Sequence, residues 1–418
     1  MKLTTLTLAF ALAAPTWSAP RALAADPFYL HDGDRVVFYG DSITSDGAYA
    51  RFVEDYARTR FPGWDLRFYN AGVGGDTVRG GGAGDIHTRL ERDVIALRPT
   101  VVTIMLGMND GGYRPLEPKT LADFTDGYRA IAERLRAALP GARLFFIRTS
   151  PFDDVTRVPD FDPGYDEVLR RLGDAVQAIA GVEKAQTADF GTPVDDGLRA
   201  VWRQDRDLAR QILPDRVHPG PSGHLLMGAT LLRAWHAPSL VARVSLNAAT
   251  AAVVYAQNAS VSQLDAAEGR LSWTQSDLAV PLPVRFDTAD ADLAEKALAD
   301  LEGLDAEPLT VTGLAPGYYE LKIDDLGVGR FGTDELALGV NLARYDTPMR
   351  HQAYQVLWAV EAGQQMQKVR RQLLVAAASD PSLQKAAAVL AARDESDQAA
   401  RSHLAAPLAR RFSLTRVP

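Results

Sequence analysis

A serine hydroxyl is the first group in this chain that could carry out chemistry. Ser42 lies in the stretch 39–44, directly after the apolar run 36–38 and before a helical pattern. A serine at such a turn lies at the carboxyl edge of a sheet, where open α/β folds place their sites. Because a serine hydroxyl is a weak nucleophile at neutral pH, it needs a base within hydrogen-bond reach and a third group that orients the base.

The chain contains seven histidines, so the candidates for that base are few. His218 follows Asp215 by three residues, a spacing at which the carboxylate can accept a hydrogen bond from one ring nitrogen while the other faces Ser42. His224 is a rival base, although it falls inside the helical pattern 221–235. On spacing alone, Asp215 could equally be a cap in a surface turn that precedes this helix.

Acyl transfer also needs hydrogen-bond donors for the oxyanion that forms when a carbonyl is attacked. The loop Gly72–Gly75 follows one candidate strand and Asn109 follows another, and both also fit a plain turn or a polar group that caps a strand end. The glycine-rich stretch Gly80–Gly84 lacks the Gly-Lys-Ser/Thr sequence and the preceding strand of a phosphate-binding loop. We therefore interpret it as a flexible loop near the site.

Four sequence blocks appear together in a fixed order, and the order is more specific than any single block. They are Gly40-Asp41-Ser42, Asn70–Thr77, Gly107–Asp110 and Asp215–Pro219. In this order they resemble the SGNH, or GDSL-type, hydrolases, a family of esterases and acylhydrolases, over roughly residues 34–236. Asp41 is interpreted as a residue that shapes the turn.

The resemblance implies a role for each matching residue. Ser42 would be the nucleophile, His218 the base and Asp215 the residue that orients the imidazole. The oxyanion donors would be the amides of Ser42 and Gly75 and the side chain of Asn109. The family needs no cofactor, and the absence of a His-Glu-x-x-His or Cys/His cluster predicts no catalytic metal.

Elements that could position these residues follow from the alternation of short apolar runs with helical patterns, which is typical of a parallel sheet covered by helices. The resemblance makes this a flavodoxin-like, three-layer α/β/α fold. Helices are predicted after Pro118, from about Tyr165 and from Pro221. The candidate strands are Arg35–Tyr39, Asp65–Tyr69, Val101–Leu106, Arg143–Thr149 and Val182–Asp189. The segments that hold Arg79, Tyr113 and Trp202 could border the site.

The chain is long enough for two domains or more. We expect a signal peptide at residues 1–25, a catalytic domain at 26–240, a small β-rich, sandwich-like module at 241–335 and a helical C-terminal extension at 336–418. The extension is expected to pack within the chain.

The charge of the chain argues against one class of partner, and its first residues predict a cellular compartment. A formal charge of -8 offers no basic surface for a nucleic acid. The charged start, the short apolar run and the small-residue end of residues 1–25 predict export to the periplasm or the medium, and no later segment reaches membrane-spanning length. The oligomeric state is left open.

These observations predict a secreted serine esterase that removes acyl groups, in particular acetyl groups, from a carbohydrate ester. One alternative is a lysophospholipase or thioesterase, for which we would expect a more apolar lid than the loops 111–118 and 152–164 provide. Another is a glycan-binding or O-acetyltransferase assembly factor. Its platform would be the aromatic side chains of the β module, namely Tyr255, Trp273, Tyr318 and Tyr319.

Overall fold

A computed structural model describes residues 27–284, 288–298 and 301–418. The expected signal peptide at residues 1–25 lies outside the described residues.

The first half of the chain is built on a five-stranded sheet in which each neighbouring pair is parallel. Its strands are β1 (Arg35–Gly40), β2 (Arg67–Gly72), β3 (Val101–Met105), β4 (Arg143–Ile147) and β5 (Gln186–Ala188). The spatial order is β2-β1-β3-β4-β5. This is the flavodoxin-like order, so the predicted fold class is confirmed.

Helices cover both faces of this sheet, as predicted. They are α1 (Ser42–Asp46), α2 (Ala48–Arg60), α3 (Ile86–Asp93), α4 (Pro118–Ala138), α5 (Tyr165–Glu183), α6 (Gly191–Trp202), α7 (Arg206–Ala209) and α8 (Pro221–Ala234). A two-residue ladder between Gly80–Gly81 and Gly84–Asp85 precedes α3, and a 3-10 turn, Ile95–Leu97, follows it.

Alternation along the strands assigns the two faces. Phe38 on β1 packs against Tyr49 of α2 and Trp235 at the end of α8. The next residue, Tyr39, lies under the guanidinium of Arg89 on α3. Successive side chains of a strand point to opposite faces, so α2 and α8 lie on one face and α3 on the other.

The second half contains two further sheets that form a sandwich around their own apolar core. Their strands are β6 (Arg243–Asn247), β7 (Ala252–Gln257), β8 (Ala259–Ala267), β9 (Arg270–Asp277), β10 (Pro308–Thr312), β11 (Tyr318–Ile323), β12 (Leu326–Gly332), β13 (Val340–Asn341) and β14 (Ala409–Val417). One sheet has the order β8-β9-β14-β11-β12 and the other β13-β10-β6-β7. Trp273 and Tyr319 are buried in this core, whereas Tyr255 and Tyr318 are exposed.

Two segments differ from the expected division of the chain. Residues 409–417 were expected to be helical but form β14, because Phe412 and Leu414 alternate with polar residues and both are buried between the sheets. Residues 281–304 belong to the expected β module in sequence, but they include the helix α9 (Ala289–Leu298) and the 3-10 turn Glu302–Leu304. Leu282 and Leu293 of this segment join the apolar core of the first half.

The remaining helices are α10 (Thr333–Leu338), α11 (Pro348–Ala376) and α12 (Leu383–His403), with a 3-10 turn at Leu342–Arg344. The 29 residues of α11 start in the sandwich core, where Met349 and Val356 are buried, and end beside β2. The predicted packing of this extension within the chain is confirmed. Within the described ranges, no helix combines the length and apolar character that crossing a membrane requires.

Side chains of α11 and α12 bond to the outer edge of β2, the first strand of the parallel sheet. Gln367 accepts from the amide of Asn70 at 3.0 Å and donates to the carbonyl of Phe68 at 2.8 Å. Gln398 accepts from the amide of Phe68 at 2.7 Å, and Arg371 donates to the carbonyl of Asn70. The two helices therefore satisfy backbone groups that an edge strand otherwise leaves unpaired.

Candidate functional site

The carboxyl ends of β2, β1 and β3 are aligned, and this alignment brings the sequence blocks together. In the sheet Gly40 is opposite Gly72 on one side and Met105 on the other. A side chain at position 40 would lie 2.3 Å from the Thr44 hydroxyl oxygen and 2.6 Å from the carbonyl oxygen of Met105. Only glycine therefore lets the chain turn this tightly from β1 into the helix that begins at Ser42.

Asp41 caps that helix. Its Oδ1 accepts a hydrogen bond from the amide of Ile43 at 3.0 Å, and the side chain is almost fully buried. Burial raises its pKa to about 7. The interpretation of Asp41 as the residue that shapes the turn agrees with this capping bond.

The structure brings Ser42, His218 and Asp215 together. His218 Nε2 lies 2.8 Å from Ser42 Oγ, and His218 Nδ1 lies 2.7 Å from Asp215 Oδ2. The other carboxylate oxygen, Oδ1, accepts from the backbone amides of Val217 at 3.0 Å and His218 at 2.7 Å. The Asp-x-x-His turn thus fixes the carboxylate to its own loop and aims the imidazole at the serine.

Electrostatics define the imidazole tautomer. Partial burial acts to raise the pKa of Asp215, but the hydrogen bonds from His218 and Val217 outweigh it and hold the pKa below its ordinary value. The ionised carboxylate can only accept, so Nδ1 of a neutral His218 carries the proton. Nε2 then has a free lone pair directed at the Ser42 hydroxyl, which is the arrangement of a general base.

His224, the rival base, makes different contacts. Its Nε2 is 3.2 Å from Asp46 Oδ1, and its ring is buried and stacked on Tyr49. Burial lowers the pKa of His224 to about 4, against the opposing effect of Asp46. The ring is therefore neutral at neutral pH, and the serine bonds to His218.

The loop after β2 brings Gly74 to the pocket at Ser42, and Gly75 follows it. Gly75 has φ +75°, a left-handed conformation that favours glycine. The next residue, Asp76, is held by the fully buried guanidinium of Arg89, whose Nε lies 2.7 Å from Asp76 Oδ2 and which also donates to the carbonyl of Ala71 at 2.9 Å. This ion pair ties the loop to α3.

The loop after β3 reaches the same place from the other side. Asn109 donates through Nδ2 to the carbonyl of Asp76 at 2.9 Å, which leaves its second amide hydrogen available. Asp110 accepts from the amide of Val78 at 2.9 Å, and its partial burial raises its pKa to about 6. The loop after β3 is therefore hydrogen-bonded to the loop after β2, and Asn109 lies at this junction.

Tyr113 contacts this junction, although it is not among the residues that line the pocket at Ser42. Its hydroxyl donates to Asn109 Oδ1 at 3.4 Å, and its ring stacks on Tyr165 with centroids 4.8 Å apart. Arg79 instead pairs with Asp123 at 3.1 Å, and the ring of Trp202 lies under Arg206 and Arg210. Neither of these two lines the pocket at Ser42.

That pocket has a volume of about 320 Å³ and is lined by Ser42, Gly74, His218, His224 and Asp46 among others. Lys368 of α11 also lines it, and sequence reasoning missed this residue because an isolated lysine in a helical pattern carries no signal. Among the described residues, His, Asp and Glu side chains form no group of three that could hold a metal ion.

Arg216 is a second residue that the sequence did not single out. It lies between Asp215 and His218 with φ +77°, a left-handed conformation that is unusual for arginine. Its guanidinium pairs with Asp154 at 2.6 Å and lies over the ring of Phe152. These contacts hold the backbone of the Asp-x-x-His turn.

Comparison with known proteins relates part of the chain to acylhydrolases and esterases. Residues 38–226 match the family model of the GDSL-like lipase/acylhydrolase family. The chain is 26% identical to an acetylxylan esterase of Geobacillus stearothermophilus over 226 residues, which are 48% of this chain and 93% of that protein. It is 29% identical to Esterase TesA of Pseudomonas aeruginosa over 143 residues, which are 34% of this chain and 61% of that protein.

A solved structure extends the likeness of the fold to nearly the whole chain. It is that of a gut microbial diltiazem-metabolizing enzyme, with a TM-score of 0.82, 23% identity and coverage of 94% of this chain and 99% of the other. The sandwich and the C-terminal helices are thus a shared architecture. Residues 38–226 carry the match to the GDSL-like lipase/acylhydrolase family, and with these relatives the protein is a carboxylic-ester hydrolase.

Proposed function

We propose that the protein is a serine esterase that removes acetyl groups from a carbohydrate ester by way of an acyl-enzyme. The observation that carries the proposal is the continuous hydrogen-bond chain from Ser42 Oγ to His218 Nε2 at 2.8 Å and from His218 Nδ1 to Asp215 at 2.7 Å. Nucleophile, base and orienting carboxylate are already within reaction distance of one another.

In the first half-reaction, Ser42 Oγ attacks the ester carbonyl carbon while His218 Nε2 takes the hydroxyl proton. The tetrahedral intermediate collapses when the bond to the alcohol oxygen breaks, and His218 gives its proton to that oxygen. Asp215 accepts from Nδ1 throughout and stabilises the transient imidazolium. In the second half-reaction water replaces the alcohol, releases the acid and restores Ser42.

Stabilisation of the oxyanion is assigned to the backbone amides of Ser42 and Gly75 and to the second Nδ2 hydrogen of Asn109. These three groups come from the loops after three adjacent strands, so each is fixed by the sheet. Asn109 is also restrained by its bond to the Asp76 carbonyl at 2.9 Å. Donors held in advance need little rearrangement when the negative charge forms.

A small acyl group and a polar alcohol fit the surroundings. The side chains of His218 and Asp215 are 49% and 57% exposed, so the site opens to water rather than into an apolar tunnel. The similarity to the acetylxylan esterase of Geobacillus stearothermophilus supports an acetylated carbohydrate as the substrate class. Export directed by a signal peptide at residues 1–25 is part of the same proposal, because the acetylated polysaccharides of cell walls lie outside the cytoplasm.

The second candidate is an acylhydrolase for longer acyl chains, of the lysophospholipase or thioesterase type, and the match of residues 38–226 to the GDSL-like lipase/acylhydrolase family favours it. The two candidates differ in the acyl length that the pocket at Ser42 accepts. Rates on a series of esters from acetyl to decanoyl separate them.

The proposal is tested by measuring acetate release from O-acetylated polysaccharides and from a synthetic acetyl ester, with the full chain, Ser42→Ala and Ser379→Ala. Ser379 lies in an exposed turn after α11 and serves as the matched control. We expect Ser42→Ala to lower kcat by a factor on the order of 10⁴ or more, and Ser379→Ala to leave it unchanged.

Each other outcome has a definite meaning. Serine-dependent release from the synthetic ester alone would move the substrate to lipids, thioesters or small metabolites. No serine-dependent release from any ester would contradict the proposal and favour a glycan-binding or O-acetyltransferase role.

A further inference from the structure

The pocket at Ser42 receives a cation from a distant part of the chain. Lys368 belongs to α11, 326 positions after the serine, and lines the same pocket as Ser42, Gly74 and His218. Within the described part of the chain, no carboxylate lies within ion-pair distance of its ammonium group, and the residue is exposed. A lysine without a partner at a catalytic pocket is available to a ligand.

Neighbouring contacts fix the position of Lys368. Gln367, the preceding residue, bonds to both the amide of Asn70 and the carbonyl of Phe68 on β2. Arg371, three residues later, donates to the carbonyl of Asn70. A helix can neither slide nor rotate without breaking such bonds, so α11 holds Lys368 at a defined place relative to the sheet.

Close packing near the serine brings α11 against the helix that Ser42 begins. Gly47 ends that helix, and a Cβ at this position would lie 2.8 Å from Gln364 Oε1 of α11 and 2.5 Å from Asn70 Nδ2. Gln364 lies one helical turn before Lys368, on the same side of α11. The C-terminal extension is therefore part of the wall of the pocket.

Charges around the pocket define what Lys368 can bind. Asp46 is the other charged side chain among the lining residues, but its Oδ1 accepts from the amide of Ala48 at 3.2 Å and lies 3.2 Å from His224. Burial lowers the pKa of His224, so that ring adds no positive charge at neutral pH. Among the lining residues of the pocket, Lys368 is then the side chain that keeps a positive charge at neutral pH.

We infer that Lys368 forms an anion subsite, and that the preferred ester carries a carboxylate on its alcohol part, as an acetylated acidic sugar does. This inference rests on the proposed function and adds a substrate class to it. The ammonium group attracts and orients the carboxylate while Ser42 attacks the acetyl carbonyl. A negative charge on the substrate should then lower KM more than it changes kcat.

The test compares two acetyl esters that differ only at carbon 6 of the sugar: an acetylated methyl hexuronoside, with a carboxylate, and the acetylated methyl hexoside, with a hydroxymethyl group. Enzymes are the full chain, Lys368→Gln, Lys368→Arg and the control Lys385→Gln. Lys385 is an exposed lysine of α12 that does not line the pocket. Unfolding temperatures are measured for all four proteins.

We expect the full chain to prefer the uronoside and Lys368→Gln to lose about fivefold in kcat/KM on the uronoside, which is the size of a partly hydrated charge pair. The loss should be in KM, and the hexoside should be unaffected. Lys368→Arg should retain the preference, Lys385→Gln should match the full chain, and added salt should reduce the preference.

Equal losses on both esters in Lys368→Gln would overturn the inference, because Lys368 would then contact a part of the substrate that both esters share, or would only pack in the pocket wall. Unchanged rates on both would also overturn it. Both results leave the proposed esterase intact, provided that hydrolysis is lost in Ser42→Ala. Absence of serine-dependent hydrolysis of either ester would overturn the proposed function and this inference together.

Discussion

Two carboxyl groups near Ser42 have opposite pKa shifts, and the environment of each explains its part in the site. Asp215 is partly exposed and accepts three hydrogen bonds from its own loop, so its pKa is lowered and it stays ionised. Asp41 is buried and accepts one bond from the amide of Ile43, and burial raises its pKa. The charged group can orient an imidazolium, whereas the buried group serves as a helix cap.

The Asp41 carboxyl should make stability depend on pH. Its pKa rises from 3.8 to about 7 on folding, so between these values the folded state keeps a proton that the unfolded state releases. Stability from this group is therefore lost as pH rises from about 4 to 7, by about 1.4 kcal/mol per pH unit. We expect Asp41→Asn to remove this contribution, so that the variant gains stability relative to the parent as pH rises.

Urea unfolding of the parent and Asp41→Asn at several pH values between 4 and 8 measures this difference. Asparagine keeps an oxygen that can accept from the amide of Ile43, so ester hydrolysis at pH 7.5 should remain within about threefold of the parent. A difference in the free energy of unfolding that stays constant with pH would contradict the argument.

At the scale of elements, polar rather than apolar contacts attach the second half of α11 to the sheet. In its first half, Met349, Val356 and Val360 are buried, as their spacing leads one to expect. In the second half the buried residues include Gln364 and Gln367, while Val369 is 48% exposed. The helix changes from an apolar to a polar contact where it meets the backbone of β2.

Gln367→Ala should therefore destabilise the protein more than the loss of buried side-chain area alone would. The substitution leaves the amide of Asn70 and the carbonyl of Phe68 without their partner in a buried place, which costs about 2 to 4 kcal/mol of unfolding free energy. Gln365→Ala, at an exposed position of the same helix, should change it by less than about 0.5 kcal/mol. Chemical denaturation compares the two variants, and equal effects would refute the role assigned to Gln367.

Features that depend on residues close together in the sequence could be predicted, whereas features that depend on contacts between distant segments could not. Ser42 was predicted because a short motif follows an apolar run, and His218 and Asp215 were predicted mainly from the family resemblance. The central strands were predicted because buried parallel strands are continuous apolar stretches. Strand β14 was missed because its alternation spans only a few residues after a long helical region. Lys368 was missed because its position depends on side-chain contacts between segments about 300 residues apart.

At the scale of the whole molecule, the last strand completes a sheet that begins far earlier in the chain. β14 lies in the middle of its five-stranded sheet, paired with β9 on one side and β11 on the other. The segment that connects the sandwich to this strand contains α11 and α12 and covers β2 of the catalytic domain. The chain thus leaves the sandwich in α11, passes beside the pocket of the catalytic domain and returns to the sandwich in β14.

Removal of residues 409–418 should disrupt the sandwich while sparing the parallel sheet. The deletion leaves β8-β9 and β11-β12 as separate pairs and exposes the core that Phe412 and Leu414 fill. We expect rapid amide hydrogen exchange in β9 and β11 and continued protection in β1 and β3. Arg411→Ala, at a solvent-exposed position of β14, is the control that should keep protection in all four strands.

The central place of β14 also affects how the protein is made. The parallel sheet and the segment 281–304 that joins its apolar core are all synthesised before α11, so the serine, the histidine and their sheet precede the C-terminal extension. Lys368 emerges much later, and the sandwich that holds the start of α11 closes only when residue 417 has been added. A chain stopped before that point would lack the closed sandwich that holds the start of α11, so the proposed selection of substrate by Lys368 would depend on completion of the last strand.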